Sequence, residues 1–179
     1  MNEAQKKDLA KHVYDIAHLT GEFKLRSGVI SNEYFDKYQF ESNPELLVSI
    51  AIQLNHVVNS LEYDYLAGLE MGGIPIATAM AMMNKKSMVF VRKEAKEYGT
   101  AKLAEGPEIK NTNLLIVEDV VTSGGQIIIS ANDLRERGAT INDAVCVIDR
   151  EAGGREKLAE AGITLHSLFT MSELKDAGK

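Results

Sequence analysis

Residues 114–125 read LLIVEDVVTSGG. The apolar run Leu114 to Val117 shows no alternation, as expected of a strand buried on both faces, and it ends in two adjacent acids, Glu118 and Asp119. Thr-Ser-Gly-Gly follows, where a helical pattern begins. Glycines let a backbone approach a ligand closely, and consecutive N–H groups at a helix N-terminus favour a phosphate. Thr122 and Ser123 add hydroxyl donors. Glu118 and Asp119 would repel that phosphate if they faced it; they suit the hydroxyls of an attached sugar, or outer-shell contacts to a divalent cation. The bland alternative is a strand end followed by an N-cap and a turn, but two adjacent acids closing a buried strand are costly without partners. No G-x-x-x-x-G-K-[ST] is present, and no G-x-G-x-x-G opens a helix after a strand, so ordinary P-loop ATPases and dinucleotide dehydrogenases are excluded.

Outward from this segment, short apolar runs alternate with helical patterns. YLAGL (65–69), MVFV (88–91), NLLIVED (113–119), INDAVCVID (141–149) and TLHSLF (164–169) read as strands, with helices near 74–83, 125–137 and 154–161 between them. Such an order implies a parallel sheet covered on both faces, with ligands at the carboxyl ends of the strands. Upstream, Leu9, Val13, Ile16 and Ala17 define an amphipathic helix closed by Gly21, and EYFDKYQF (33–40) reads as a strand. Ser42 with Glu45 suggests a capping box for a second helix, and Thr170 with Glu173 repeats the pattern for a short final one. Residues 94–112 are the longest stretch without a clear pattern, long enough to suggest a mobile or functional loop.

The chain has 179 residues, 45% hydrophobic and 26% charged, with mean hydropathy -0.15, which fits one globular domain able to bury a core without disulfides or a structural metal. A single cysteine, Cys146, and no secretory pattern after Met1 point to a reducing, cytoplasmic setting. No apolar run is long enough for a membrane helix. The net charge of -6 speaks against nonspecific nucleic-acid binding. Positive charge is gathered locally instead: residues 85–102 hold Lys85, Lys86, Arg92, Lys93, Lys96 and Lys102 against Glu94 and Glu97, a run that would otherwise read as a solvated face. His12, His18, His56 and His166 fit no metal-ligand spacing, Cys146 reads as buried, and Met71, Met80, Met82 and Met83 read as helix packing.

The stretch EDVVTSGG (118–125) resembles the 5-phosphoribosyl-1-pyrophosphate (PRPP) signature of type I phosphoribosyltransferases. FKLRSGVISNEYFDKY (23–38), LEMGGIPIATAMA (69–81), RKEAKEYG (92–99) and IDREAGGREKLAEAGITLHSLFTMSEL (148–174) narrow the resemblance to the orotate phosphoribosyltransferase family, covering about residues 20–174. The resemblance implies an α/β type I phosphoribosyltransferase fold, with a twisted parallel sheet flanked by helices, a small N-terminal hood and a long flexible loop. It implies a single domain over 1–179, the hood from about 1–40 plus C-terminal residues and the core over about 44–170. The implied reaction converts orotate and PRPP, with Mg2+, to orotidine 5′-monophosphate and pyrophosphate in de novo pyrimidine (UMP) biosynthesis. A homodimer is implied, because the cationic loop typically reaches the neighbouring subunit's site.

Residue by residue, the resemblance assigns PRPP binding to Arg26, Gly72, Gly73, Arg92, Lys93, Lys96, Tyr98 and the stretch Glu118, Asp119, Val120, Val121, Thr122, Ser123, Gly124, Gly125 and Gln126. Lys96, Arg92 and Asp119 are the implied catalytic groups, the cations meeting charge that develops on leaving pyrophosphate. Tyr34, Phe35, Thr122 and Arg150 are assigned to orotate, the guanidinium suiting a planar carboxylate. No direct metal ligand is implied; Mg2+ would be carried by PRPP near Glu118 and Asp119. On the residues alone, Gly72 and Gly73 could simply start a helix, Tyr34 and Phe35 could be core, and Arg150 could be a surface ion pair. Tyr98 stands where many members have a histidine, and Gly72 where some have a lysine. Two other functions share these features: a phosphoribosyltransferase for another base such as a purine, and a PRPP-sensing regulator without catalysis.

Overall fold

The computed structural model describes residues 3–24, 28–93 and 103–179. Its centre is a six-stranded sheet in the order β5-β4-β3-β6-β7-β8, formed by β3 (Tyr65–Leu69), β4 (Met88–Val91), β5 (Ala104–Glu105), β6 (Asn113–Val121), β7 (Thr140–Asp149) and β8 (Thr164–Thr170). Neighbouring strands are parallel except β5, which runs antiparallel along β4. The five strands expected from apolar runs are all present, and β5 is the addition. It falls inside the patternless stretch 94–112, and two residues are too few to show periodicity.

Both faces of the sheet are covered, which is why its strands lack alternation. Leu115 and Val117 of β6 face one core with helices α1 (Glu3–Ala17), α3 (Pro44–Val57), α4 (Gly73–Asn84) and α7 (Met171–Ala177). Leu114 and Ile116 face the other, with α5 (Gly125–Glu136) and α6 (Gly154–Glu160). No helix among the described residues is long and apolar enough to cross a membrane.

The N-terminal region departs from expectation. Helix α1 ends at Ala17, and Gly21 lies within β1 (His18–Lys24), which pairs antiparallel with β2 (Ile30–Phe35) around a bulge between Thr20 and Phe23. The expected strand 33–40 stops at Phe35, because Asp36 turns the chain: its carboxylate accepts from Tyr38 N–H at 3.2 Å and Gln39 Nε2 at 2.9 Å, and α2 (Tyr38–Glu41) begins there. The second long helix is capped by Asn43, not Ser42; Asn43 Oδ1 accepts from Glu45 and Leu46 N–H, both at 3.1 Å, with Pro44 at the first helical position. The capping box of Thr170 and Glu173 is formed as expected. Of the methionines read as packing, only Met80 is fully buried; Met82 is 79% and Met71 63% exposed.

Candidate active site

The carboxyl ends of β3, β4, β6 and β7 bring most of the expected residues to one edge of the sheet. Strand β6 delivers Glu118 and Asp119, then Val120, Val121, Thr122 and Ser123, before α5 starts at Gly125. Gly124, the N-cap of α5, has φ of 71°, a left-handed conformation in which other residues are strained. Glu118 and residues 120–127 line a small cavity of about 180 Å³, into which the helix start directs N–H groups that have no partner within α5.

Asp119 is 1% exposed, and its partners explain how a charge is held there. Oδ1 accepts from the backbone N–H of Val120, and Oδ2 is held by the Lys37 ammonium. Glu118 accepts from Asp119 N–H at 3.0 Å. A third carboxyl, Glu41, is 6% exposed and lies beside Asp119, and no described donor reaches its Oε1. Burial first, and then the Asp119 charge, push both Glu41 and Glu118 up to about 8, so each retains a proton near neutral pH. Burial pulls the Lys37 ammonium down, but Asp119 outweighs it and leaves Lys37 raised and charged.

Gly72 is buried against this cluster. A Cβ placed there would lie 1.6 Å from Asp119 Oδ2 and 2.8 Å from Glu41 Oε1, so no other residue fits with Asp119 in this position. Gly72 is also the N-cap of α4, with Gly73 its first residue. The glycines do start a helix, and the close approach seen at Gly72 is to Asp119 and Glu41. The loop is tied to the end of β4, where Glu70 accepts from Lys93 N–H at 2.6 Å. Arg92 lies at the same strand end with Nε 3.9 Å from Glu105.

A second cavity, about 590 Å³, opens beside the first. Tyr14, His18, Glu33, Tyr34, Phe35, Thr122, Arg150 and Lys175 are among its lining residues. Tyr34 is 44% exposed into solvent, while Phe35 packs partly into the core, so the two aromatics divide between wall and support. Arg150 is exposed, its N–H donating to Val121 O at 2.8 Å, and it is not spent on Asp149, which is paired with Arg155 at 3.0 Å. Arg150 is thus a cation available to a ligand, not half of a surface ion pair with its neighbour. His18, expected only in a structural role, stacks on Tyr14 at 4.7 Å in the cavity wall.

Arg26, Lys96 and Tyr98 lie outside the described residues. Lys37 and Glu41 were missed by the sequence reading. Their signal is the spacing of four in DKYQFE, which puts both on one side of a helical turn; reading EYFDKYQF as a strand hid it. Among the described residues no group of three or more His, Cys, Asp or Glu could hold a metal ion.

The family model for the phosphoribosyl transferase domain matches residues 39–167. The chain is 42% identical to a Nocardioides orotate phosphoribosyltransferase over 94% of each chain, and 44% identical to that of Halobacterium salinarum over 88% of this chain and 89% of the relative. The solved orotate phosphoribosyltransferase of Mycobacterium tuberculosis superimposes with a TM-score of 0.86 at 25% identity, covering 94% of this chain and 98% of that one. The chain belongs to the phosphoribosyl transferase domain family. Within it, the chain belongs with the orotate phosphoribosyltransferases.

Proposed function

We propose that this chain transfers the 5-phosphoribosyl group of PRPP to orotate, giving orotidine 5′-monophosphate and pyrophosphate for pyrimidine synthesis. The observation that carries the reading is the position of Thr122, which lines both the phosphate-sized cavity and the larger aromatic cavity that holds Arg150. A phosphoribosyl group bound through its 5′-phosphate at 122–126 is thereby set beside a planar base whose carboxylate meets Arg150. Glu118, on the wall of the first cavity, and the adjacent Asp119 are assigned to the ribose hydroxyls.

The reaction needs no protein nucleophile. A ring nitrogen of orotate attacks the anomeric carbon as the bond to pyrophosphate breaks, and the electron pair leaves with the pyrophosphate oxygen. The protein has to position both substrates, exclude water and offset charge on the leaving group. Gly72 and Gly73 are assigned to the pyrophosphate, with Arg92, Lys93 and Lys96 closing over it. Tyr34, Phe35 and Arg150 are assigned to orotate. Mg2+ is proposed as the cofactor, carried on the phosphate oxygens near Glu118 and Asp119, where it would lower the charge of the leaving group. A homodimer sharing the 92–99 loop, a single domain with the hood described above and a cytoplasmic setting belong to the same proposal; the buried Cys146 thiol, pushed up by burial, fits a reducing compartment.

The test is the fall in near-ultraviolet orotate absorbance when the purified protein meets orotate, PRPP and Mg2+. The fall should require all three and be lost in Lys96→Ala. PRPP binding without any fall would overturn the orotate assignment.

A further inference from the structure

We propose that Lys37 is a pyrophosphate-binding residue, its ammonium bridging Asp119 and the leaving group of PRPP at the Gly72–Gly73 loop. The inference rests on the reading above and adds a cation which that reading does not contain.

Its first support is position. The oxygen that Lys37 holds, Asp119 Oδ2, is the one that a Cβ on residue 72 would overlap at 1.6 Å. The Lys37 nitrogen and the backbone of Gly72 therefore converge on one point, which is the loop assigned to pyrophosphate. A side chain at 72 is excluded by the same contact, so a cation for this loop has to come from another element. The N-cap of α2 supplies it.

Charge gives the second argument. Asp119 would repel a polyphosphate if its charge were uncompensated, and Glu41 and Glu118 add to the repulsion as they ionise. Lys37 is the cation that the described structure places among them, and Asp119 keeps it charged. Arg92 reaches Glu105 and Arg150 lines the base cavity, so neither side chain takes this place.

Donor count gives the third. An ammonium has three N–H donors, and Asp119 occupies one. Lys37 remains 33% exposed, which leaves the others free to meet phosphate oxygens from the open side.

The experiment measures calorimetric binding of inorganic pyrophosphate with Mg2+, and separately of ribose 5-phosphate, to the full chain and to Lys37→Met and Lys37→Arg. Lys37→Met should weaken pyrophosphate roughly 10- to 100-fold, the range expected for charged hydrogen bonds, and ribose 5-phosphate less than about threefold. Lys37→Arg should recover most of the pyrophosphate binding. Equal loss of both probes would overturn the proposal and make Lys37 a positioning residue for Asp119; loss of neither, or no pyrophosphate binding by the unmodified chain, would overturn it as well. Lys37→Gln, which keeps a donor to Asp119 without the charge, gives the same comparison if Lys37→Met does not fold. Pyrophosphate is titrated without orotate, so a chain that binds it through Lys37 yet fails to consume orotate would sink the function assigned above and leave this inference standing.

Discussion

Strands β6 and β7 each carry near their ends a buried aspartate held by a cation, six positions on for Asp149 and 82 away for Asp119, and the two pairs are built differently. Asp149 is 3% exposed, and Arg155 meets its Oδ2 through Nε at 3.2 Å and Nη2 at 3.0 Å. The same guanidinium donates to Leu165 O at 2.5 Å and Ser167 Oγ at 3.1 Å, while Asp149 Oδ1 accepts from Glu151 N–H at 2.9 Å. That network is closed: the donors of Arg155 tie α6 to β8, and both carboxylate oxygens are satisfied. Asp119 is as deeply buried, but its cation is a lysine 82 positions away with donors to spare, and two more carboxyls crowd it. A closed network holds a fold together. An open one, with surplus acid and a part-exposed cation, is what the proposed ligand would need.

Breaking the closed pair should give the largest effect on stability. Arg155→Ala strands a buried Asp149; because Arg155 is itself 46% exposed the loss is smaller than for a fully buried pair, about 2 kcal/mol, or roughly 4–8 °C in Tm for a domain of this size. Thermal unfolding checks the shift. Turnover measured well below the new Tm should stay within about threefold, since Arg155 faces neither cavity; a large loss of turnover in a folded variant would erase the contrast between the pairs.

The open pair should respond the other way round. Asp119→Asn removes a charge from a crowded site and should change Tm by no more than a few degrees, while kcat/KM falls on the order of 100-fold because the ribose hydroxyls lose their acceptor. Steady-state assays with PRPP as the varied substrate check it. A drop in Tm as large as that of Arg155→Ala would make Asp119 a structural residue like Asp149.

Between the two pairs stands Arg150, which follows Asp149 in sequence but opens into the cavity shared with Thr122. Arg150→Ala should raise the KM for orotate about 30-fold and leave that for PRPP within about threefold, since a lost charged hydrogen bond is worth about 2 kcal/mol. Unchanged use of orotate would mean that Arg150 is not the partner of the orotate carboxylate.

The closed and open pairs also differ in how far the sequence discloses them. Glu118 and Asp119 were legible because acids ending an apolar run are conspicuous, and the strand–turn–helix order around them was legible because each apolar run exceeds three residues. Arg150 stood out beside Asp149, but nothing local says that Asp149 would take Arg155 and leave Arg150 free. That choice is made by the turn through Gly153, which brings α6 back over the strand end. Lys37 and Glu41 show a helical spacing of four, but the aromatics around the turn at Asp36 read as a strand and hide it. The contact that gives Lys37 its meaning is with a residue 82 positions away, and it leaves no local signal.

The smallest effect is one of pH, and it separates the two pairs by their protons. In the folded chain Glu41 is pushed up to about 8, against an ordinary value near 4.5 when unfolded. The folded state therefore binds this proton more tightly across that interval, so stability falls as pH rises from about 4.5 to about 8 and then levels off. Glu118 has the same sign and window. Glu41→Gln removes one share of the slope: its Tm should fall less than that of the unmodified chain between about pH 6 and pH 9, and it should be the more stable protein at the upper end, by on the order of 1 kcal/mol. The cost of Arg155→Ala should be the same at both ends of that interval, since guanidinium groups do not lose their proton there. Parallel pH curves for Glu41→Gln and the unmodified chain would mean that Glu41 is already ionised beside Asp119, and that Lys37 alone balances the charge of the cluster.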